Sequence, residues 1–221
     1  MRFEIEIPDP AKLRKEHVRI HEMGPRLVAH RIHSKDWAAN AFNASPDSDA
    51  RFSTIRSEKG EIIPTLYAAQ SFECSVCETI LRSPDTPRGM AHGQPHIISP
   101  RAHAHRLHSR ISIKVPLSLV DISIAGQRRM GVEHNALLAG PRSTYPATRA
   151  WAEAIHTVFP AAQGIIYQSH QWGPEWALVL FGDRIEPDSI EARDSRGVSE
   201  KPCHEEIRAL GRSLGIDYFD I

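Results

Sequence analysis

Four polar residues of the chain have side chains that could act together on a small anionic substrate. They are Arg51, Tyr67, Glu78 and Ser169, and three of the four lie inside or beside apolar runs, where a surface residue is not expected. An arginine can bind anionic oxygens, and a carboxylate can stabilise positive charge that develops on a substrate. Taken singly, such a glutamate is more often a solvated helix position, a tyrosine part of the core, and an arginine a solvated loop residue. Only their order and spacing indicate a shared site.

The elements around Tyr67 and Glu78 are expected to bring these two side chains together. Residues 61–69 are strand-like, and a proline within them marks a sheet edge or the start of the strand. Residues 71–82 form the next predicted helix, with Ser71 as its N-cap and Glu78 eleven residues after Tyr67. This spacing accommodates a strand, a turn and a helix, so the carboxylate can face the strand end that carries the tyrosine.

The rest of the chain predicts an α+β fold. Arg51 lies in a polar loop at 44–61, and Ser169 follows a short apolar strand at 164–167. The remaining predicted elements are a helix at Lys12–Met23, strands at 26–32, 107–115, 119–124 and 177–181, and helices at 133–138, 145–159 and 203–214. Because strands and helices are mixed without a regular βαβ alternation, we expect a mixed or antiparallel central sheet flanked by helices.

The chain length fits one domain with peripheral segments. The 221 residues are enough for a single sizeable core. We divide the chain into an N-terminal helical arm at 1–25, a central domain at 26–190 that carries the candidate residues, and a C-terminal helix within 191–221 that packs on this domain. The segment 186–202 is expected to be peripheral, like the arm.

Charge and cysteine content argue against several classes of protein. Lys plus Arg and Asp plus Glu number 27 each, so no global basic field attracts nucleic acid or an anionic membrane. The N-terminus lacks the apolar core of a secretory signal, and no stretch approaches the roughly 20 apolar residues of a membrane span. Three cysteines do not indicate a disulfide framework. A cytoplasmic protein is therefore expected.

Arg51, Glu78 and Ser169, in that order, resemble the signature of the RES domain family, which is named for those three letters. The central match is a strand that carries a tyrosine, followed eleven residues later by a helical glutamate. The resemblance runs from about residue 27 to residue 187 and is weak in 84–116. The matching segments are His30-Arg31-Ile32, Asp49-Ala50-Arg51-Phe52, Leu66-Tyr67-Ala68-Ala69, Cys77-Glu78-Thr79, Tyr145–Ala152, Gly164–Ser169 and Phe181–Arg184.

Two features depart from the family pattern. The stretch between Arg51 and Tyr67 is longer than in the smaller members of the family, which leaves the exact position of the arginine open. His170 precedes Gln171 where a basic residue is expected, and a histidine is only partly charged at neutral pH.

The resemblance implies a fold like that of ADP-ribosyltransferases and NAD+ as the substrate, with no metal. It implies that Arg31 and Arg51 bind the diphosphate, whose oxygens suit a planar guanidinium fork. Tyr67 would stack against the nicotinamide or its ribose. Glu78 would stabilise the oxocarbenium-like sugar that forms when the nicotinamide–ribose bond breaks. Ser169 would hydrogen-bond the nicotinamide amide or Glu78.

The same resemblance implies an enzyme that degrades NAD+ as a glycohydrolase, a phosphorylase or an ADP-ribosyltransferase. The acceptor would then be water, phosphate or a protein side chain. Members of the family are often the toxin of a toxin–antitoxin pair, so a cognate antitoxin is an expected partner, and a homodimer is a further expectation. Neither a nucleic acid nor a membrane is expected as a partner.

Two alternatives remain open from the residues. Cys74 and Cys77 form a C-x-x-C pair, followed by the histidines His92, His96, His103, His105 and His108, which could make a zinc site. Against zinc, both cysteines fall in the predicted helix, where buried free cysteine is common, and the His-rich loop could be a solvated surface. The second alternative is a protein of the same fold that binds a nucleotide without turnover. The presence of the candidate catalytic residue Glu78 argues against this alternative.

Overall fold

The protein is built on one large β-sheet against which α-helices pack. The computed structural model describes residues 5–82 and 96–219, and no helix within these ranges is long and apolar enough to cross a membrane. The strands are β1 Ile20–Met23, β2 Leu27–Ser34, β3 Ile55–Arg56, β4 Ile62–Ile63, β5 Thr65–Ala69, β6 His96–Ile98, β7 Arg106–Ile113, β8 Leu117–Asp121, β9 Gly164–Gln168, β10 Trp176–Phe181, β11 Ile190–Gly197 and β12 Ile216–Tyr218. The α-helices are α1 Phe72–Thr79, α2 Ile124–Arg129, α3 Ala136–Ala139, α4 Tyr145–Val158 and α5 Lys201–Ser213.

Eight of the described strands form the main sheet, in the order β1-β8-β9-β10-β5-β2-β7-β11. Neighbouring strands in it are antiparallel, except for β8 and β9, which run parallel. Two further pairs, β3 with β4 and β6 with β12, form small sheets of two strands each. This arrangement confirms the predicted α+β class with a mixed central sheet.

The central strands are buried on both faces of the sheet. Residues 164–167 of β9 and 177–181 of β10 are all buried. One core layer includes Trp151 and Ile155 of α4, and Leu66 and its neighbours lie in a separate layer. Strands covered on both faces form continuous apolar runs, which is why the sequence pattern identified them.

Strands β2 and β5 diverge after a single point of contact. β2 pairs with β7 along all eight of its residues, but it pairs with β5 only through His30 opposite Ala69. Beyond that pair, residues 31–34 of β2 and the preceding residues of β5 have separated. The gap between the two strand edges is where a ligand can enter the sheet.

Helix α1 packs beside this gap and begins at a side-chain cap. The hydroxyl of Ser71 accepts a hydrogen bond from the Cys74 amide at 3.0 Å, as expected of the predicted N-cap. Val76 and Cys77 are buried in a core layer shared with the C-terminal helix α5. The helix ends at Thr79, so its last turn presents residues next to the diverging strands.

The helix predicted over Lys12–Met23 is wrong. Two 3-10 turns, at Pro10–Lys12 and Lys15–His17, and strand β1 occupy this region, so the N-terminal arm adds a strand to the sheet. Ile20 lies opposite Val120 in the β1–β8 ladder. The open edge of β8 supplies hydrogen-bond partners for the backbone, and this outweighs the weak helical pattern of the segment.

The segment 186–202, predicted to be peripheral, carries the edge strand β11. Five consecutive residues of this strand, 191–195, are exposed, so no apolar pattern marks it in the sequence. A ladder to β7 and an ion pair between Arg110 and Asp194 hold the strand in place.

Candidate active site

A cleft of about 450 Å³ opens between the diverging edges of β2 and β5. Four of the five predicted site residues line it, namely Arg31, Arg51, Tyr67 and Glu78. The fifth, Ser169, is buried behind Glu78 and reaches the cleft through that residue. A larger cavity of about 630 Å³ lies beneath the N-terminal segment, and none of the predicted site residues lines it.

Ser169 fixes the position of the Glu78 carboxylate. Its hydroxyl donates a hydrogen bond to Oε1 of Glu78 at 2.6 Å. The same hydroxyl oxygen accepts hydrogen bonds from the amides of Trp172, at 3.0 Å, and Gln171, at 3.3 Å. Because these two donors occupy the oxygen lone pairs, the serine proton is directed at the glutamate. The turn after β9 therefore orients a carboxylate that is carried by α1.

Tyr67 ties the Arg51 loop to strand β5. The phenol oxygen accepts hydrogen bonds from the Phe52 amide at 2.8 Å and from the Ser53 hydroxyl at 3.2 Å. Burial raises the pKa of Tyr67 to about 12, so the phenol is neutral and its own proton is available to a ligand. The tyrosine thus both lines the cleft and anchors the segment next to Arg51.

Helix α4 holds Arg51 from the other side. The Thr148 hydroxyl donates to the carbonyl oxygen of Arg51, and Nε of Arg149 donates to the carbonyl of Ala50 at 3.1 Å. The Arg51 guanidinium lies over the ring of Tyr145, with Cζ 4.9 Å from the ring centroid. Among residues 5–82 and 96–219, Arg51 makes no ion pair with a carboxylate, so its charge remains available to an anion.

Arg31 is a buried guanidinium with unused hydrogen-bonding capacity. Only 8% of the residue is exposed, and one terminal nitrogen donates to the carbonyls of Ala39 and Ala41 at 2.8 and 3.0 Å. Its buried Nε has no partner, and no carboxylate pairs with it in the described part of the chain. Burial lowers the pKa of Arg31 to about 10, so the side chain stays charged at neutral pH. A buried cation that lacks a counter-charge at the wall of a cleft favours an anionic ligand.

Several further cationic or ionisable side chains line the same cleft and were not predicted from the sequence, among them His30, His33, Arg82 and Arg106. Arg82 donates to the Tyr145 hydroxyl at 2.7 Å. Its place four residues after Glu78 was a usable indication, since that spacing keeps two side chains on one side of a helical turn. For His30 and Arg106 no indication existed, because their approach to the cleft depends on the divergence of β2 from β5.

The cysteine pair has the properties of core residues. Cys74 and Cys77 are both fully buried in α1, and burial raises the pKa of each thiol to about 12, which keeps both protonated. Over the described ranges, no group of three or more His, Cys, Asp or Glu side chains is arranged to hold a metal. His92, part of the alternative zinc hypothesis, lies outside the described residues.

Comparison with known proteins identifies the family of the chain and a solved structure of similar fold. A family model for the RES domain matches residues 28–199. The chain belongs to the RES domain family. The fold of this RES protein is similar to a chain in the crystal structure of the M. tuberculosis MbcT–MbcA toxin–antitoxin complex, with a TM-score of 0.59 and 12% identity. The match covers 90% of this chain and 96% of that one, and no curated protein matches in sequence.

Proposed function

We propose that this RES protein is an enzyme that degrades NAD+ by cleaving the bond between nicotinamide and ribose. One observation carries the proposal. A carboxylate, Glu78, is oriented by Ser169 in a cleft whose walls hold two arginines without carboxylate partners among the described residues. NAD+ offers a diphosphate for the arginines and a positively charged leaving group beside a ribose for the carboxylate.

The arginines bind and orient the substrate in this proposal. Arg31 and Arg51 lie on different elements of the same cleft and can each bind oxygens of the diphosphate. Tyr67, between them and Glu78 in sequence, presents its ring and a free phenol proton to the nicotinamide or its ribose. Holding the diphosphate fixes the position of the ribose relative to the carboxylate, and such positioning lowers the barrier to reaction.

Glu78 acts on the bond that breaks. The electron pair of the C–N bond leaves with the ring nitrogen, so nicotinamide departs as a neutral molecule and needs no general acid. The ribose carbon acquires oxocarbenium character, which the carboxylate stabilises, and an oxygen or other nucleophile of the acceptor then bonds to that carbon. Water, phosphate and a protein side chain remain the candidate acceptors, corresponding to glycohydrolase, phosphorylase and ADP-ribosyltransferase activity.

We further propose that the protein is the toxin of a toxin–antitoxin pair in the cytoplasm, where NAD+ is its substrate. Family membership supports this role, and the solved structure of similar fold is described as a toxin–antitoxin complex. The arginines around the cleft would suit an acidic segment of an antitoxin. A homodimer, which only the family resemblance implies, stays a prediction. Expression of the protein alone should lower cellular NAD+ and arrest growth, and unchanged NAD+ and growth would remove the toxin role.

Incubation of the purified protein with NAD+ tests the enzymatic proposal directly. We expect release of nicotinamide, measured by liquid chromatography, and a loss of at least about a hundredfold in kcat for Glu78→Gln. Glu73→Gln is the matched control, because Glu73 lies on the same helix and does not line the cleft. NAD+ binding without any release would instead support a non-catalytic nucleotide-binding protein, and equal activity in both variants would remove Glu78 from the mechanism.

A further inference from the structure

A chain of polar side chains runs from the protein surface to the wall of the cleft. The guanidinium of Arg196, on β11, forms an ion pair with Glu206 of α5. Nε of the same arginine donates to Nδ1 of His108 at 3.2 Å, and Nε2 of His108 lies 3.0 Å from Nδ1 of His30. His108 is only 4% exposed, whereas His30 lines the cleft together with Tyr67 and Glu78.

These contacts determine which ring nitrogens carry protons. An arginine nitrogen can only donate, so Nδ1 of His108 must accept and the proton of that ring must sit on Nε2. This proton is donated to His30, so Nδ1 of His30 is also an acceptor. The remaining proton of a neutral His30 is then on Nε2. The arginine thereby fixes the tautomer of a histidine two hydrogen bonds away.

The Nε2–H group of His30 has no hydrogen-bond partner in the part of the chain that the structure describes. Residues 5–82 and 96–219 contain no hydrogen bond to this atom, and it is not sealed from solvent. His30 lies opposite Ala69 in the β2–β5 ladder, and residues directly opposite each other project to the same face of a sheet. Tyr67 lies two residues from Ala69 and therefore shares that face, while Arg31, the neighbour of His30, projects to the other.

We propose that His30 is a further substrate-contacting residue that donates an Nε2–H hydrogen bond to an oxygen of the nicotinamide–ribose half of NAD+, and that His108 and Arg196 are positioning residues which hold it in that tautomer. The proposal rests on the proposed function of the same cleft. It assigns the nicotinamide–ribose half to the face shared by His30 and Tyr67, and the diphosphate to the arginines.

A comparison of two ligands tests the contact. NAD+ contains the nicotinamide ribose, whereas ADP has the adenosine and the diphosphate but lacks that ribose. His30→Phe keeps an aromatic ring but no donor, and we expect it to raise the KM for NAD+ about tenfold while the Kd for ADP changes by less than about twofold. His30→Gln places an amide N–H near the position of Nε2 and should restore the KM to within about threefold of the original protein.

The controls separate this contact from a change in charge or folding. Arg110→Ala removes a positive charge opposite His30 in the β2–β7 ladder without touching the ring, and its KM should stay within about twofold. An unchanged KM in His30→Phe, or an equal loss of ADP binding, would overturn the proposal. If the unaltered protein releases no nicotinamide at all, the proposed function fails first, and the substrate contact of His30 fails with it.

Ring-nitrogen NMR tests the positioning residues independently of turnover. With ¹⁵N-labelled histidine and no nucleotide present, His30 should show a protonated Nε2 and an unprotonated Nδ1. Arg196→Ala should shift both histidines toward a mixture of tautomers and raise the KM for NAD+, whereas Glu206→Gln, which leaves Nε of Arg196 in place, should preserve the tautomer. A protonated Nδ1 on His30 in the unaltered protein would contradict the assignment.

Discussion

At the scale of single residues, the most consequential contact is the hydrogen bond from Ser169 to Glu78. It converts a half-buried helical glutamate into a carboxylate with a fixed direction. Because the serine oxygen also accepts from two backbone amides, the hydroxyl cannot rotate away without leaving those amides unpaired. The family resemblance implied a hydrogen bond from Ser169 either to Glu78 or to the nicotinamide amide. The structure contains the bond to Glu78, and Ser169 itself does not line the cleft.

Substitution of Ser169 should reduce turnover more than substrate binding. We expect Ser169→Ala to lower kcat about tenfold, since the carboxylate loses a donor that holds it, with a KM for NAD+ close to the original value. Ser112→Ala is the matched control, because the Ser112 hydroxyl is buried, accepts a hydrogen bond from Arg193 and does not line the cleft. Nicotinamide release at several NAD+ concentrations measures both constants, and a larger effect on KM than on kcat would contradict this role.

The sequence predicted the relation of Tyr67 and Glu78 because a short strand–turn–helix unit fixes their distance locally. It also predicted Arg31 and Arg51 as cleft residues, but only through the family resemblance. The side chains that it missed depend on tertiary structure. His30 and Arg106 reach the cleft because β2 leaves β5 after one residue pair, and no pattern in either strand records that divergence. Likewise β11 has five exposed residues in a row and forms only because β7 offers an edge.

At the scale of elements, the β2–β7 pair carries three histidines whose pKa values are lowered mainly by burial. They are His30, His33 and His108, and the pKa of His108 falls to about 4. All three make hydrogen bonds within the fold, and His33 contacts the Ser109 hydroxyl at 2.7 Å. The folded state keeps these three rings neutral, whereas in the unfolded chain they bind protons more readily. Acid therefore favours unfolding.

Stability should therefore fall as the pH drops from about 6.5 to about 4. In this window an unfolded His108 binds a proton that the folded state does not bind, so unfolding is favoured, and the effect levels off below the folded pKa. For His108 alone the loss is at most about 3 kcal/mol. Urea unfolding at several pH values measures it, and His108→Gln should show a shallower decline. If the free energy of unfolding fell equally steeply with decreasing pH in the original protein and in His108→Gln, the prediction would be contradicted.

Helix α4 is the element that positions Arg51. Arg149 bonds both Asp49 and the Ala50 carbonyl, and the exposed Arg142 forms an ion pair with Asp49 as well. We expect Arg149→Ala to raise the KM for NAD+ about fivefold, because the loop next to Arg51 loses one of its hydrogen bonds to α4. Arg142→Ala removes a surface ion pair, which contributes little free energy, and should change the KM for NAD+ by less than about twofold. Equal effects of the two substitutions would assign the anchoring to the charge of Asp49 instead.

At the scale of the whole molecule, the cleft lies where two strands of one sheet separate, with α1 on one side and the start of α4 on another. A ligand held there contacts elements from distant parts of the chain, since Arg31, Arg51 and Glu78 precede the α4 residue Tyr145 by more than sixty positions. Binding should therefore stabilise the fold as a whole and not a single segment.

Thermal unfolding in the presence of ADP measures how much a ligand bound in the cleft stabilises the fold. At an ADP concentration one hundred times its Kd, the native state gains about 2.7 kcal/mol, and the midpoint of unfolding should rise accordingly. Arg31→Met, which keeps a long side chain but removes the charge, should abolish most of that rise. An undiminished rise in this variant would show that the diphosphate binds elsewhere. Arg129→Met provides the control, because Arg129 does not line the cleft.

The loop that carries Arg51 is fastened on two sides, to the phenol of Tyr67 and to helix α4. Its conformational entropy is therefore already lost when the chain folds, before any nucleotide arrives. Encounter with a nucleotide then requires no slow closing step, and association rates should be similar for good and poor ligands. Differences in affinity among nucleotides should appear in how long each one stays bound.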